Sequence, residues 1–244
     1  MTQTKLTSAG RLVTETRRIR AAFSKNATIF NYIPSLFGAD EVHWSKGLVA
    51  YFKLIDRVED DLDHVAEGRR KKFEDTLAVF RDALNVDKFH VGGVQIRDTY
   101  FTELNIERIE AIDDLLCQAG RSLSLDQERA GVVASELEQL LDDIQSGPTS
   151  EIDDFLIEKL EELRFILKRY ELFGPEGVRD AISTILGTIT LESVVRGGLS
   201  DAAQAQVKGV WRIAKGALDA LVYANSGVDA IEWAGTGLAG ISEI

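Results

Sequence analysis

Apolar residues recur three and four positions apart along most of this chain, the spacing that gathers them on one face of an α-helix. The clearest run is Ile152, Leu156, Leu160, Leu163, Leu167 and Tyr170, which predicts a helix over 151–173. Trp44, Leu48, Tyr51, Phe52, Ile55, Val58, Leu62 and Val65 predict another over 41–65. Shorter stripes follow at Phe73, Leu77, Phe80 and Leu84, at Ile106, Ile109, Leu116 and Leu123, and at Val133, Leu137, Leu140, Leu141 and Ile144. A helix with a basic middle is expected from Leu6 to about Leu36, ending near Pro34 and Gly38. The rhythm fails between Asn85 and Phe101, where β-branched and aromatic residues surround Gly92-Gly93. A short loop or a small hairpin is expected there. The predicted fold class is all-α, a multi-helix bundle with this one insert.

Turn and cap residues divide the pattern. Thr102 and Ser200 read as N-caps, since a hydroxyl there accepts from an otherwise orphaned backbone N–H. The SGPTS stretch, Ser146 to Ser150, is the strongest break. It suggests an N-terminal helical bundle over 1–146 and a C-terminal helical region over 151–244. The apolar stripes on either side would equally suit packing as one bundle. At Gly174-Pro175 a glycine fits the left-handed residue after a helix and a proline the first position of the next. The surrounding segment LEELRFILKRYELFGPEGVRDAI, Leu160 to Ile182, resembles a stretch of uncharacterised helical bacterial proteins. The resemblance covers under a tenth of the chain and implies a helical corner, with no activity attached. Beyond it the sequence turns rich in Gly and Ala and poor in charge. Helices are expected over 178–191 and from Ser200 to about Ala224. A weaker helix or apolar tail follows Asn225-Ser226-Gly227.

Composition narrows the function classes. The formal net charge of −12 disfavours a nucleic-acid surface, which needs clustered cations to displace counterions from phosphates. One cysteine, Cys117, excludes an internal disulfide scaffold and permits a reducing compartment. Its apolar helical setting suggests a buried, inert thiol. The first residues show no signal-peptide pattern, and the longest relevant uncharged run, Ala181 to Leu191, is too short to span a bilayer. A cytoplasmic location is expected, with peripheral membrane association as the alternative.

Candidate chemistry is sparse. Asp56, Asp60 and His64 fall at i, i+4 and i+8 on one helix side, a spacing able to hold a divalent cation. The more economical reading is a solvated acidic face. Arg57 and His64 are separated by six residues, which resembles the R-x4-6-H spacing of HEPN ribonucleases. That resemblance implies an arginine steadying phosphate and a histidine moving a proton, in a dimer. Four acids stand between the pair, an unfavourable neighbourhood for RNA. His43 and His90 have no recognisable partners. The cations Arg69–Lys72, and Arg11, Arg17, Arg18 and Arg20, read as solvated charge or as contacts to an acidic partner. No cofactor-binding motif appears, so no cofactor is expected.

The C-terminal region carries the most unusual pattern. Lys208, Arg212 and Lys215 form a basic stripe at i, i+4 and i+7 beside Trp211, and Leu218 and Trp233 add apolar surface. The leading reading is a non-enzymatic helical interaction or assembly protein, self-associating or binding a protein partner through these apolar C-terminal helices. The alternatives are an effector that docks a basic amphipathic helix on an anionic membrane and a ribonuclease using Arg57 and His64.

Overall fold

A computed structural model describes residues 4–23, 27–37, 44–64, 67–120, 123–125 and 127–223. The chain is all-α apart from three short strands. Ten α-helices stand among the described residues: α1 (Ser8–Ala22), α2 (Ile29–Phe37), α3 (Trp44–Asp61), α4 (Glu67–Ala83), α5 (Gly93–Thr99), α6 (Glu103–Gln118), α7 (Gln127–Ser146), α8 (Asp153–Lys168), α9 (Tyr170–Arg196) and α10 (Asp201–Ala220). The strands are β1 (Thr4–Leu6), β2 (Leu123–Leu125) and β3 (Leu221–Tyr223). The chain sorts into two compact units. Among the described residues one holds Lys5–Ser122 together with Phe165–Val178, the other Thr4, Leu123–Arg164 and residues 179–223. The SGPTS break therefore lies within a unit, and α7 clusters with the helices that follow it.

In the first unit, α1 is flanked by α2, α3 and α6. Nearly all of its first two turns are buried. Its apolar residues Leu12, Ile19 and Phe23 (Phe23 caps its end) join Tyr51, Leu54, Ile55 and Val58 of α3 and Ile106, Ile109, Ile112 and Leu116 of α6 in one core. Aromatic rings complete it: Phe23 meets Tyr32 edge-on, and Phe101 packs on Phe23 and Phe80. The Tyr51 phenol, wholly enclosed, has its pKa pushed up by burial, with the Thr16 hydroxyl bond working the other way.

Two expectations need correction here. The single helix foreseen over 6–36 is two, α1 and α2, and Pro34 sits inside α2 rather than ending it. The segment 85–101, expected as a loop or hairpin, is a 3-10 turn at Val86–Lys88 capped by Asn85, a short connection, and helix α5. Its β content is one isolated bridge, Thr28 with Gly92. The β-branched residues that suggested strand instead give α5 a buried Ile96. Thr102 caps α6 as expected, accepting from the Asn105 N–H at 3.2 Å.

In the second unit, α10 packs along α7. Close approach is set by small residues: Gly209 lies against Leu140 and Gly216 against Val133. Leu160 and Leu163 of α8, Ile182 and Ile185 of α9 and Val210 and Ile213 of α10 converge on a common apolar space. Ser200 caps α10 through the Ala203 N–H at 3.2 Å, and its own hydroxyl donates to Glu151 at 2.7 Å. Strands β2 and β3 pair antiparallel, with Leu123 opposite Tyr223. This pairing stops α10 at Ala220, short of the expected Ala224.

Gly47 marks where α3 crosses α2. A Cβ there would overlap the Phe37 carbonyl oxygen and stand 2.8 Å from the Phe37 Cβ. The obstructing atoms are backbone, so they cannot swing aside. Gly47→Ala is expected to destabilise the fold by about 1–3 kcal/mol despite the better helix propensity of alanine. A chemical-denaturation curve checks this, and unchanged or raised stability would refute the crossing.

Candidate functional site

The most concentrated polar chemistry in the first unit surrounds the Gly174-Pro175 corner. Gly174 adopts φ 64° and ψ −173°, a conformation essentially confined to glycine. The corner breaks the helical hydrogen-bond ladder. The Glu171 carbonyl would ordinarily accept from the fourth residue on, which is Pro175 and has no N–H. Arg11 supplies the missing donor. Its Nε donates to the Glu171 carbonyl at 3.0 Å and its Nη2 to the Leu172 carbonyl at 3.3 Å. A Cβ on Gly174 would collide with that guanidinium.

Arg11 is only 4% exposed. Burial pulls its pKa below the ordinary value, and the Glu176 carboxylate, 3.5 Å from Nη1, pulls it back up. Glu176 also stands 4.0 Å from Arg57, which reaches Asp61 at 3.9 Å. Asp61 accepts from the buried Ser8 hydroxyl at 2.7 Å. One turn along α1, Glu15 is 3% exposed and bracketed by Arg18 at 2.9 Å and Arg169 at 3.0 Å. Both arginines also donate to the Leu36 carbonyl near the end of α2, at 2.6 and 3.1 Å. Positive charge there offsets the negative end of the helix dipole.

The basic residues of α1 are thus structural partners. Arg17 pairs with Glu110 and Arg20 with Glu103, besides the roles of Arg11 and Arg18. In the same way Arg70 is held by Asp63 and Glu74.

The candidate ribonuclease and metal residues fall on α3 and the 3-10 turn after it. Arg57 is half-exposed, with its guanidinium 3.9 Å from Asp61 and 4.0 Å from Glu176. Asp56 is exposed and ion-paired with Arg81, while Asp60 is exposed. The side chain of His64 lies outside the described residues, as do His43 and Trp233. Among the described residues no group of three His, Cys, Asp or Glu side chains is placed to hold a metal ion. Cys117, foreseen as buried, is exposed, with its thiol 3.7 Å from Asp113. It sits one turn beyond Asp113, near the end of α6, where the thiol is open to solvent.

In the second unit, α10 turns its basic stripe outward. Lys208, Arg212 and Lys215 are exposed; Trp211 and Leu218 are half-buried along the flank, with Val207 beside them. The stripe is partly balanced: Arg212 approaches Glu136 at 3.5 Å, and Asp201 and Asp219 are exposed on the same side. The neighbouring α9 offers a surface that its sequence did not single out. Leu191, Val194 and Val195 are 59, 73 and 73% exposed. The signal was available, because they follow the spacing i, i+3 and i+4 on the side opposite Ile182, Ile185 and Ile189.

No family model matches the chain, and comparison with curated proteins and with solved structures finds no match either. No helix among the described residues is long and apolar enough to cross a membrane.

The polar cluster predicts a contrast. Glu15→Ala leaves Arg18 and Arg169 facing each other without their carboxylate, and is expected to cost about 3 kcal/mol or more of stability. Arg17→Ala, which removes only an exposed pair, should cost less than about 1 kcal/mol. Thermal or denaturant unfolding of both variants checks the ranking, and equal effects would contradict it.

Proposed function

We propose that this protein is a non-enzymatic helical interaction or assembly protein, engaging a protein partner or a further copy of itself through α9 and α10. The observation that carries this reading is the exposure of Leu191, Val194 and Val195 together on one helix side. Isolated exposed apolar residues are ordinary, but a contiguous set on a rigid element usually marks a contact surface. Support also comes from the polar cluster at the corner. Its charged groups hold backbone carbonyls and one another, an arrangement that serves architecture. A cytoplasmic, reducing setting suits an exposed Cys117 with no second cysteine to pair with.

A second reading follows from α10. Exposed Lys208 and Lys215 flanking half-buried Trp211 are the elements of an anionic membrane contact. The acids Glu136, Asp201 and Asp219 weaken it by reducing the local positive charge. We therefore rank it below the protein-contact reading.

Two measurements separate the readings. Light scattering on the eluting full-length protein, over a concentration series, is expected to show a mass above that of one chain. A strict monomer that also binds no vesicle would remove the basis of both. Cosedimentation with phosphatidylserine vesicles is expected to be weak and unaffected by Lys208→Glu with Lys215→Glu. Strong binding abolished by that double variant would promote the membrane reading.

A further inference from the structure

The outer side of α9 has a property beyond exposure. Thr184, Gly187, Thr190, Leu191, Val194 and Val195 are exposed there and Ser183 half-exposed, and none carries a charge. In a chain with formal net charge −12 this uncharged run is where two copies can close without burying like charges. Two of its hydroxyls are already spent: that of Thr184 donates to the Asp180 carbonyl at 2.9 Å and that of Thr190 to the Leu186 carbonyl at 2.8 Å. Covering them therefore desolvates little.

The run is also graded in size. Its first half, Ser183, Thr184 and Gly187, is small, and beyond the adjoining residues and the helix's own backbone nothing lies within 4 Å of where a Gly187 Cβ would be. Its second half, Leu191, Val194 and Val195, is large. Two such helices laid antiparallel place each large residue against a small one. The register that centres on Ile189 sets Gly187 against Leu191, Thr184 against Val194 and Ser183 against Val195, twice over by symmetry. Asp180 then falls opposite Gly198, with no carboxylate facing it. A parallel pairing would stack large on large and leave the small halves apart.

We infer that α9 is the self-association surface of this protein, pairing antiparallel with α9 of a second copy in a two-fold dimer. The inference rests on the interaction reading above and names its partner. A two-fold contact must be self-complementary, and the size gradient meets that condition. Three helical turns, about 18 Å, offer less than the ~800 Å² per partner of a standard stable interface. The dimer is accordingly reversible and concentration-dependent.

The test uses the full chain with Cys117→Ser, followed by sedimentation velocity over a range of concentrations. The parent is expected to dimerise. Val194→Asp and Gly187→Leu should each raise the dissociation constant at least about tenfold, while Val86→Asp, a substitution at an exposed residue of the first unit, should not. Circular dichroism confirms that each variant stays helical. The register is read independently by mild oxidation: Thr184→Cys with Val194→Cys cross-links into covalent dimers, whereas either alone does not. A parent that stays monomeric overturns the inference, as does a variant series in which Val194→Asp binds its own kind as well as the parent. In the latter case the interaction reading survives on another surface. A monomer that instead binds phosphatidylserine vesicles through this side, and loses them with Val194→Asp, assigns the surface to a membrane and also overturns the dimer.

Discussion

The orphaned carbonyls of Glu171 and Leu172 set the constraint around which α1 is built. A helix end buried without donors is costly, and a proline four residues on guarantees that one donor is missing. Arg11 brings a planar fork of donors on a long stem and meets both carbonyls. That role requires a buried cation, and a buried cation requires compensation. Glu176 is the largest source of it and Tyr170 adds to it, while the guanidinium also donates to both carbonyls. Gly174 follows from the same geometry, because a side chain there would need both a strained backbone and the space the guanidinium fills.

Once one charge is buried in α1, its neighbours are arranged to match. Glu15 lies one turn from Arg11 and is as deeply buried, but it belongs to a second cluster in which Arg18 and Arg169 share it and cap the end of α2. Asp61 is met by Ser8 and Arg57, and Arg57 joins it through Glu176 to the Arg11 cluster. These pairs add little net stability, since desolvating each ion offsets most of the attraction. Their effect is positional: the segment 165–178 and α2 each meet α1 in one register. The apolar stripes, which tolerate sliding, would not specify that alone.

Much of this was legible in the sequence. Helix stripes, the caps Thr102 and Ser200, and the glycine-proline corner follow from period and local backbone chemistry, which a single chain displays. Arg11 and Glu15 were not legible because a buried arginine and a solvated one are the same letter; only the distant Pro175 distinguishes them, through a donor it lacks. Strands β2 and β3 escaped because three residues carry too little pattern and the partner lies far along the chain. Segment 85–101 misled because β-branched residues fit a short buried helix when one of them, Ile96, has a core to enter. The outer side of α9 was not singled out because periodicity gives the width of an apolar stripe poorly when small residues fill its flank.

That last ambiguity bears on function. A solvated helix in a charged protein normally spends its outward positions on Glu, Lys and Arg, which keep copies apart and cover the apolar rim. From Ser183 to Val195 the outward positions of α9 do neither. Threonines whose hydroxyls turn back to their own helix present methyl groups outward, so even the polar letters there behave as apolar surface. The basic stripe of α10 has the opposite character: Arg212 approaches Glu136, and Asp201 and Asp219 are exposed on the same helix side, so its net positive charge is reduced within the chain. Of the two C-terminal helices, the one without charge is therefore the stronger candidate for a contact, because it leaves an interfacial free energy unsatisfied that only another surface can relieve.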